Sequence, residues 1–132
     1  MNTAPVIAIV DDDASVRQAM GQLLRSFDFA VALFGSGAEL LQAPSLEGLA
    51  CVITDVQMPG MNGFDLCEAL RARELATPVI FMTAFSQEGD QQRARAIGAT
   101  AFLSKPFQDH ELIHCIECAL SPPAQNVRRT PG

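Results

Sequence analysis

Short apolar runs alternate with segments of helical hydrophobic spacing along residues 5–120. The runs have strand length and are nearly continuous, which is typical of strands in a parallel sheet covered on both faces. After each run, apolar residues recur every three or four positions, as on the buried side of a helix. We therefore predict five strand–helix units and a doubly wound α/β fold. The apolar runs lie at residues 5–10, 29–34, 52–55, 79–82 and 100–103.

Capping signals mark the starts of several predicted helices. Asp13 or Ser15 can cap the first helix, and Asp109 opens the fifth. Ser36, followed three residues later by Glu39, has the form of a capping box before a short second helix.

The fourth predicted helix differs from its neighbours. Ser86 can cap it, it covers about residues 87–97, and Gly98 provides a C-terminal stop. It offers few apolar residues to the sheet. We therefore expect it to be weakly held and easier to shift than the other helices.

Length and composition indicate one domain with a tail. The chain has 132 residues, of which 48% are hydrophobic, enough for a single core. We place the domain at residues 5–120. Residues 121–132 contain three prolines and no apolar period, so we interpret them as a flexible tail or linker.

Charge and hydropathy exclude two classes of partner. A formal net charge of -6 argues against direct nucleic-acid binding, which requires clustered Lys and Arg. No apolar run approaches the roughly 18 residues of a membrane span, and the N-terminus lacks a basic segment followed by an apolar one. We expect a cytoplasmic protein with no membrane contact.

The four cysteines suggest thiols rather than a disulfide framework. The fifth predicted helix carries His110, His114, Cys115 and Cys118, and three of these recur every four residues on one helix face. A zinc site is conceivable there. However, all four candidates come from one helix, and they would have to converge on one ion without help from a second element.

The chemistry-bearing residues follow the predicted strands. Asp11 and Asp12 end the first, Asp55 the third, Thr83 the fourth, and Lys105 comes after the fifth. Ligands of open parallel sheets bind outside the carboxyl ends of the strands, so these side chains should meet at one edge.

Three acids at one edge need compensating positive charge. Two carboxylates about 5 Å apart repel by roughly 3 kcal/mol at an effective dielectric near 20. A divalent cation and Lys105 can supply the compensation, and Mg²⁺ suits a few carboxylates with open water positions. Phosphoryl transfer onto a carboxylate fits this set. Thr83 can donate a hydrogen bond to one phosphoryl oxygen, and Lys105 can pair with another.

These motifs resemble those of response regulator receiver domains of two-component signalling, the CheY-like family. The resemblance covers about residues 5–120. It rests on the acidic pair after the first strand, on Asp-Val-Gln-Met-Pro-Gly-Met-Asn-Gly beginning at Asp55, on Thr83-Ala84 and on Lys105-Pro106-Phe107. The triplet that begins at Asp11 and the Lys-Pro-Phe ending further resemble the FixJ-type transcriptional subgroup. The resemblance implies a flavodoxin-like sheet with strand order 2-1-3-4-5.

The resemblance also implies roles for single residues. Asp55 would be the phosphoacceptor. Mg²⁺, for which Mn²⁺ could substitute, would be held by Asp12, Asp55 and the backbone carbonyl of Gln57, with Asp11 reaching it through water. Thr83 and Lys105 would bind phosphoryl oxygens. The Lys105-Pro106 bond would be cis.

The resemblance implies a bacterial signalling domain and not an enzyme. A sensor histidine kinase would donate the phosphoryl group. Phe102 takes the place of the family's switch aromatic, often a tyrosine, so a switch here would rest on packing alone. The response would be read on the face made by the fourth helix, the fifth strand and the fifth helix, by an output partner, an effector domain or a phosphorylation-dependent homodimer.

Two alternatives stay open at the level of sequence. Residues 9–15 approximate the strand-ending Asp-x-Asp motif of haloacid-dehalogenase-like phosphohydrolases, in which Asp11 would be the nucleophile. The chain is short for that family and lacks a second downstream acidic pair. A degenerate receiver that serves only as a binding module is the other alternative, and the presence of all five polar positions argues against it.

Overall fold

A computed structural model describes residues 5–44 and 46–120 of the chain. The predicted tail at residues 121–132 lies outside the described residues. The strands are β1 Val6–Val10, β2 Ala30–Phe34, β3 Cys51–Asp55, β4 Val79–Thr83 and β5 Ala101–Ser104. The helices are α1 Ala14–Ser26, α2 Gly37–Leu41, α3 Gly63–Ala72, α4 Asp90–Ala96 and α5 Asp109–Leu120, with a short 3₁₀ helix at Leu46–Gly48.

The five strands form one sheet in the order β2-β1-β3-β4-β5, and each neighbouring pair is parallel. This confirms the predicted fold class and strand order. The register pairs Val10 with Thr54, Asp55 with Met82, and Thr83 with Ser104. The carboxyl ends of β1, β3, β4 and β5 therefore lie side by side at one edge.

Helices cover both faces of the sheet, because the strand side chains alternate between two buried clusters. On one face, α1 and α5 contribute Leu24 and Ile116 to a cluster with Ile53 of β3. On the other face, α2, α3 and α4 contribute Leu40, Leu66 and Ala94 to a second cluster. That cluster includes Phe81 of β4, a fully buried aromatic residue. No helix in the described part of the chain is long and apolar enough to cross a membrane.

Local hydrogen bonds explain where the early helices begin. Asp13, rather than Ser15, caps α1: its carboxylate accepts from the backbone N–H groups of Ser15 and Val16. The Ser36 hydroxyl accepts from the Glu39 N–H at 3.2 Å. The other half of the predicted capping box is displaced by one residue, since the Glu39 carboxylate accepts from the N–H of Gly35.

The predicted start of the fourth helix was wrong. α4 begins at Asp90, after Gly89, whose φ of 91° lies in the left-handed region that favours glycine. Ser86 does not cap it. Instead, the Asp90 carboxylate accepts from the Gln87 N–H at 2.9 Å and closes a turn that delays the helix. Gly98, with φ of 84°, ends the unit as predicted.

Candidate functional site

The sheet edge brings together the three acids that the sequence placed there. One carboxylate oxygen each from Asp11, Asp12 and Asp55 lies within 4.8 Å of the others. Asp11 is buried, Asp55 is half-buried and Asp12 is exposed. Within the described ranges this is the single group of three or more His, Cys, Asp or Glu side chains that could hold a metal ion.

The buried carboxylate of Asp11 is only partly satisfied by hydrogen bonds. The residue is 1% exposed. One of its carboxylate oxygens accepts from the Asp13 N–H at 2.9 Å, and the other, Oδ2, has no hydrogen-bond partner among the described residues. The nearest cation is the Lys105 ammonium, with Nζ 3.9 Å from Oδ2. A buried carboxylate oxygen in this state is costly unless a cation or water meets it.

The electrostatics of the edge follow from that burial. Burial raises the pKa of the Asp11 carboxyl above its ordinary value, and the negative charges of Asp55 and Asp12 raise it further. The hydrogen bond from Asp13 and the charge of Lys105 act in the opposite direction without cancelling the rise. The edge therefore carries more negative charge than its one lysine offsets.

Asp55 ends β3 with its carboxylate accessible from outside. Its side chain is 15% exposed, and Oδ2 lies 3.7 Å from the Lys105 Nζ. Its Oδ1 accepts from the backbone N–H of Gln57 at 3.1 Å, which fixes the carboxylate against the loop that follows. Lys105 is held at the turn after β5, and its peptide bond to Pro106 is cis, as the resemblance implied.

Gly63 keeps that loop close to Asp55. A Cβ added at Gly63 would lie 2.5 Å from the backbone oxygen of Asp55 and 3.1 Å from the Cα of Val56. Real Cβ atoms do not approach backbone this closely, so α3 can begin here only with glycine. The start of α3 is therefore packed directly against the end of β3.

Thr83 stands at the end of β4 with its side chain turned to its own loop. The residue is fully buried, and its hydroxyl oxygen accepts from the Phe85 N–H at 3.1 Å. A second bond reaches the same loop, because the Gln57 side-chain amide donates to the Phe85 carbonyl at 3.2 Å. Thus the loop after β4 is tied both to Thr83 and to the loop after Asp55.

Phe102 continues an aromatic row between α3 and β5. Its ring centroid lies 6.5 Å from that of Phe81, which lies 4.9 Å from that of Phe64, both in edge-to-face geometry. A cleft of about 270 Å³ adjoins Phe102 and is lined by α4 and β5, including Ala94. Phe102 is half-buried and has space beside it.

Three polar contacts at the edge were not predicted from the sequence. They are the bonds from the Asp13 N–H to Asp11, from the Arg17 guanidinium to the Asp11 carbonyl at 2.7 Å, and from Gln57 to Phe85. The acid triplet was a signal for the first. The other two join residues through the tertiary fold, and no local pattern announces them.

The His and Cys residues of α5 do not form a cluster of three or more ligands within the described chain. Two of them do meet: the His114 Nε2 and the Cys118 Sγ lie 3.6 Å apart, and both residues are exposed. His110 and Cys115 take no part in that contact.

Comparison with known families decides the class of the protein. The family described as the response regulator receiver domain matches residues 7–117, which include all of the acids, the threonine and the lysine at the edge. The chain belongs to this family. It is a receiver domain of a two-component response regulator, and the phosphohydrolase alternative is no longer needed to explain the acids after β1.

Individual relatives support the FixJ-type subgroup. The chain is 36% identical over 120 residues to the transcriptional regulatory protein FixJ of Bradyrhizobium diazoefficiens, covering 91% of this chain and 58% of that protein. The crystal structure of FixJ-N aligns with a TM-score of 0.81 and 32% identity over 90% of this chain and 95% of that one. A response regulator receiver protein from Burkholderia phymatum aligns with a TM-score of 0.77 and 42% identity, over 90% and 98% of the two chains.

The curated relatives are longer than this chain. It spans 52% of the length of one and 58% of the length of FixJ. What the complete protein controls is therefore a matter for proposal.

Proposed function

We propose that Asp55 accepts a phosphoryl group from the phosphohistidine of a sensor histidine kinase. The observation that carries the proposal is the Lys105 ammonium, 3.7 Å from an accessible Asp55 carboxylate at an edge with surplus negative charge. A lysine so placed can pair with a phosphoryl oxygen once the phosphoryl group arrives. The domain that carries out this reaction comprises residues 5–120.

The transfer balances with the groups at the edge. An Asp55 carboxylate oxygen forms the new O–P bond while the P–N bond to the donor imidazole breaks, and the electron pair of that bond stays on the imidazole nitrogen, which takes up a proton. The phosphoryl oxygens would then lie beside the Lys105 ammonium, which offsets part of their negative charge. The role of the chain is that of a phosphoacceptor, so signalling and not substrate turnover is its purpose.

The acids would hold Mg²⁺, or Mn²⁺ in its place. Asp12, Asp55 and the backbone carbonyl of Gln57 would bind the ion directly, and Asp11 would reach it through water. The partnerless buried Oδ2 of Asp11 supports this, because a hard cation and its water shell would meet that oxygen. When bound, the ion offsets charge on the transferring phosphoryl oxygens.

Thr83 would couple the phosphoryl group to the β4–α4 loop. Its hydroxyl oxygen accepts from the Phe85 N–H, and its own O–H can donate to a phosphoryl oxygen. A movement of Thr83 toward the phosphoryl group would therefore act on one of the two bonds that hold the loop after β4. Phe102 can then enter the adjoining cleft of about 270 Å³, since it has no hydroxyl whose hydrogen bonds must be kept.

The response would be read on the face of α4, β5 and α5, by an output partner, an effector domain elsewhere in the protein, or a homodimer formed on phosphorylation. α4 supports this choice, since Ala94 is its one buried residue in the structure. A ligand shifts such an equilibrium only by its differential affinity for two states, and a phosphoryl group paired with Thr83 and Lys105 supplies one. We place this signalling in the cytoplasm.

The decisive experiment is labelling with acetyl phosphate or a phosphohistidine donor. We expect label on wild-type protein only with Mg²⁺ or Mn²⁺ present, and none at that site on Asp55→Asn, whose amide is no nucleophile. Label that survives in Asp55→Asn but disappears in Asp11→Asn would favour hydrolase chemistry. A degenerate receiver would take no label at all.

The assigned roles of Lys105 and Thr83 are separable from metal binding. Lys105→Ala and Thr83→Ala should keep most of the Mg²⁺ affinity but lose the structural response to beryllofluoride, a stable phosphoryl mimic. A loss of Mg²⁺ affinity of about tenfold or more in Lys105→Ala would contradict the assignment. On wild-type protein, beryllofluoride and Mg²⁺ should change chemical shifts along α4, β5 and α5. Changes confined to the loops around Asp12 and Asp55 would contradict the proposed role of that face.

A further inference from the structure

The exposed side of α5 carries a pair of soft ligands that the phosphoacceptor site does not use. The His114 Nε2 and the Cys118 Sγ lie 3.6 Å apart, one helical turn from each other. Both residues are exposed, whereas the opposite side of α5 is buried through Leu112, Ile113 and Ile116. The pair therefore makes no contribution to the core that would explain it.

The separation of the two atoms is the one that tetrahedral zinc requires. Zinc binds imidazole nitrogen at about 2.0 Å and thiolate sulfur at about 2.3 Å, so at the tetrahedral angle the two ligand atoms lie about 3.5 Å apart. The observed separation of 3.6 Å matches this value. In the metal-free protein the same separation allows a weak hydrogen bond between thiol and imidazole.

We propose that His114 and Cys118 form half of a zinc site, which a second copy of this chain completes by supplying the same two ligands. A structural zinc ion takes four ligands, and the described chain brings only these two together on α5. A two-fold axis beside α5 doubles them to two imidazoles and two thiolates, as an isologous interface does.

Charge opposes a contact between two copies that no bond holds together, because each chain carries a formal net charge of -6. Zinc with two thiolates and two neutral imidazoles is a neutral centre. The ion therefore joins the chains through its coordinate bonds and does not offset their repulsion. Coordination displaces the thiol proton of each Cys118 to the solvent, and each imidazole keeps its proton on Nδ1.

The test uses the full chain as Asp55→Asn with excess Mg²⁺ and a non-thiol reductant, so that neither the acidic edge nor a disulfide can mimic the result. Zinc is titrated while sedimentation gives the mass, and cobalt replaces zinc for spectroscopy. We expect one metal per two chains, a doubling of mass reversed by EDTA, and a thiolate-to-cobalt charge-transfer band in the near ultraviolet.

Variants separate this pair from its surroundings. Cys118→Ser and His114→Ala should each weaken zinc binding by about tenfold or more and abolish the dimer. The matched control, His110→Ala, removes an exposed histidine one turn earlier and should change neither. These results do not depend on phosphorylation of Asp55, so the phosphoacceptor proposal can fail without affecting them.

Three outcomes would overturn the inference. An unchanged mass at saturating zinc, with one metal per chain, would show that a second copy does not complete the site. An equal loss in His110→Ala would move the site along the helix. Absence of the charge-transfer band would show that Cys118 is not a ligand.

Discussion

The helices α3 and α4 both follow a loop at the acidic edge of the sheet, yet they are built very differently. α3 has ten residues and a complete capping box, in which the side chains of Asn62 and Asp65 each accept from the backbone N–H of the other residue. Five of its residues are buried. α4 has seven residues, begins after Gly89 without a side-chain cap, and buries only Ala94.

This difference assigns different tasks to the two sides of the edge. The start of α3 is packed against the backbone of Asp55, so the Asp55 carboxylate sits on a rigid support. Two hydrogen bonds hold the loop leading to α4: the Phe85 N–H donates to the Thr83 hydroxyl, and the Gln57 amide donates to the Phe85 carbonyl. Under the proposed function, a rigid Asp55 beside a loosely held helix would let a local charge change move α4 without disturbing α3.

The largest expected effect compares the cores of the two helices. Leu66→Ala in α3 removes a fully buried side chain and should lower the free energy of unfolding by about 2–5 kcal/mol. Ile97→Ala, at the end of α4, removes equally many carbons from a half-buried position and should cost less than half as much. Urea denaturation of both variants measures the difference, and equal costs would show that α4 is as firmly packed as α3.

Capping gives the next comparison. Asn62→Ala removes one side of the capping box of α3 and should cost about 1 kcal/mol of unfolding free energy. Ser86→Ala, at the residue that the sequence suggested as the cap of α4, should change it by less than about 0.5 kcal/mol, because Ser86 is exposed and does not cap the helix. A cost for Ser86→Ala equal to that of Asn62→Ala would restore the sequence-based start of α4.

The same contrast marks how far the sequence could lead. Hydrophobic period and strand-ending acids were sufficient for the sheet, its faces and the meeting of Asp11, Asp12 and Asp55, because these follow from local pattern and parallel topology. The start of α4 could not be predicted, because Ser86 is a residue type that often caps helices. The boundary depends instead on the left-handed turn at Gly89.

Contacts made by long side chains were also out of reach. Arg71 donates to the carbonyls of Leu75, Thr77 and Gly98, and so fixes the ends of two loops. From the sequence alone, Arg71 cannot be distinguished from an ordinary surface arginine. Its role depends on where the tertiary fold delivers three carbonyls, which no period or motif encodes.

One group on the rigid side of the edge opposes stability. Burial raises the folded-state pKa of Asp11 above its unfolded value, so the folded state binds more protons between the two values. Without divalent metal, this contribution makes stability fall as pH rises through that window. Asp11→Asn should therefore gain less than about 1 kcal/mol at neutral pH, since the buried amide still needs hydrogen-bond partners.

The matched measurement repeats the denaturation with saturating Mg²⁺. Wild-type protein should gain stability from the ion, because a ligand that binds only the folded state stabilises it. Asp11→Asn should gain less. If Asp11→Asn were less stable than wild type in the absence of metal, the Asp11 carboxylate would be stabilising and the proposed electrostatic cost would be wrong.

The smallest expected effect concerns the tether between the two helices. The Arg93 guanidinium of α4 lies 4.6 Å from the centroid of the Phe64 ring of α3, and 3.9 Å from the Glu68 carboxylate, with both charged side chains about half exposed. A cation–π contact made by an exposed cation is worth about 0.5–1 kcal/mol, whereas an exposed ion pair is often worth less. Arg93→Ala should therefore cost about 0.5 kcal/mol, and Glu68→Gln should cost less.

The contact between Arg93 and Phe64 should affect the motion of α4 more clearly than it affects the free energy of unfolding. If α4 is the element that moves, Arg93→Ala should speed amide exchange in α4 more than in α3, because the side chain that joins them is gone. It should also enlarge the beryllofluoride-induced shifts along residues 84–107, while Glu68→Gln leaves both nearly unchanged. Exchange that accelerates equally in the two helices would mean that they open as one unit, and the division of the edge into a rigid and a mobile side would fail.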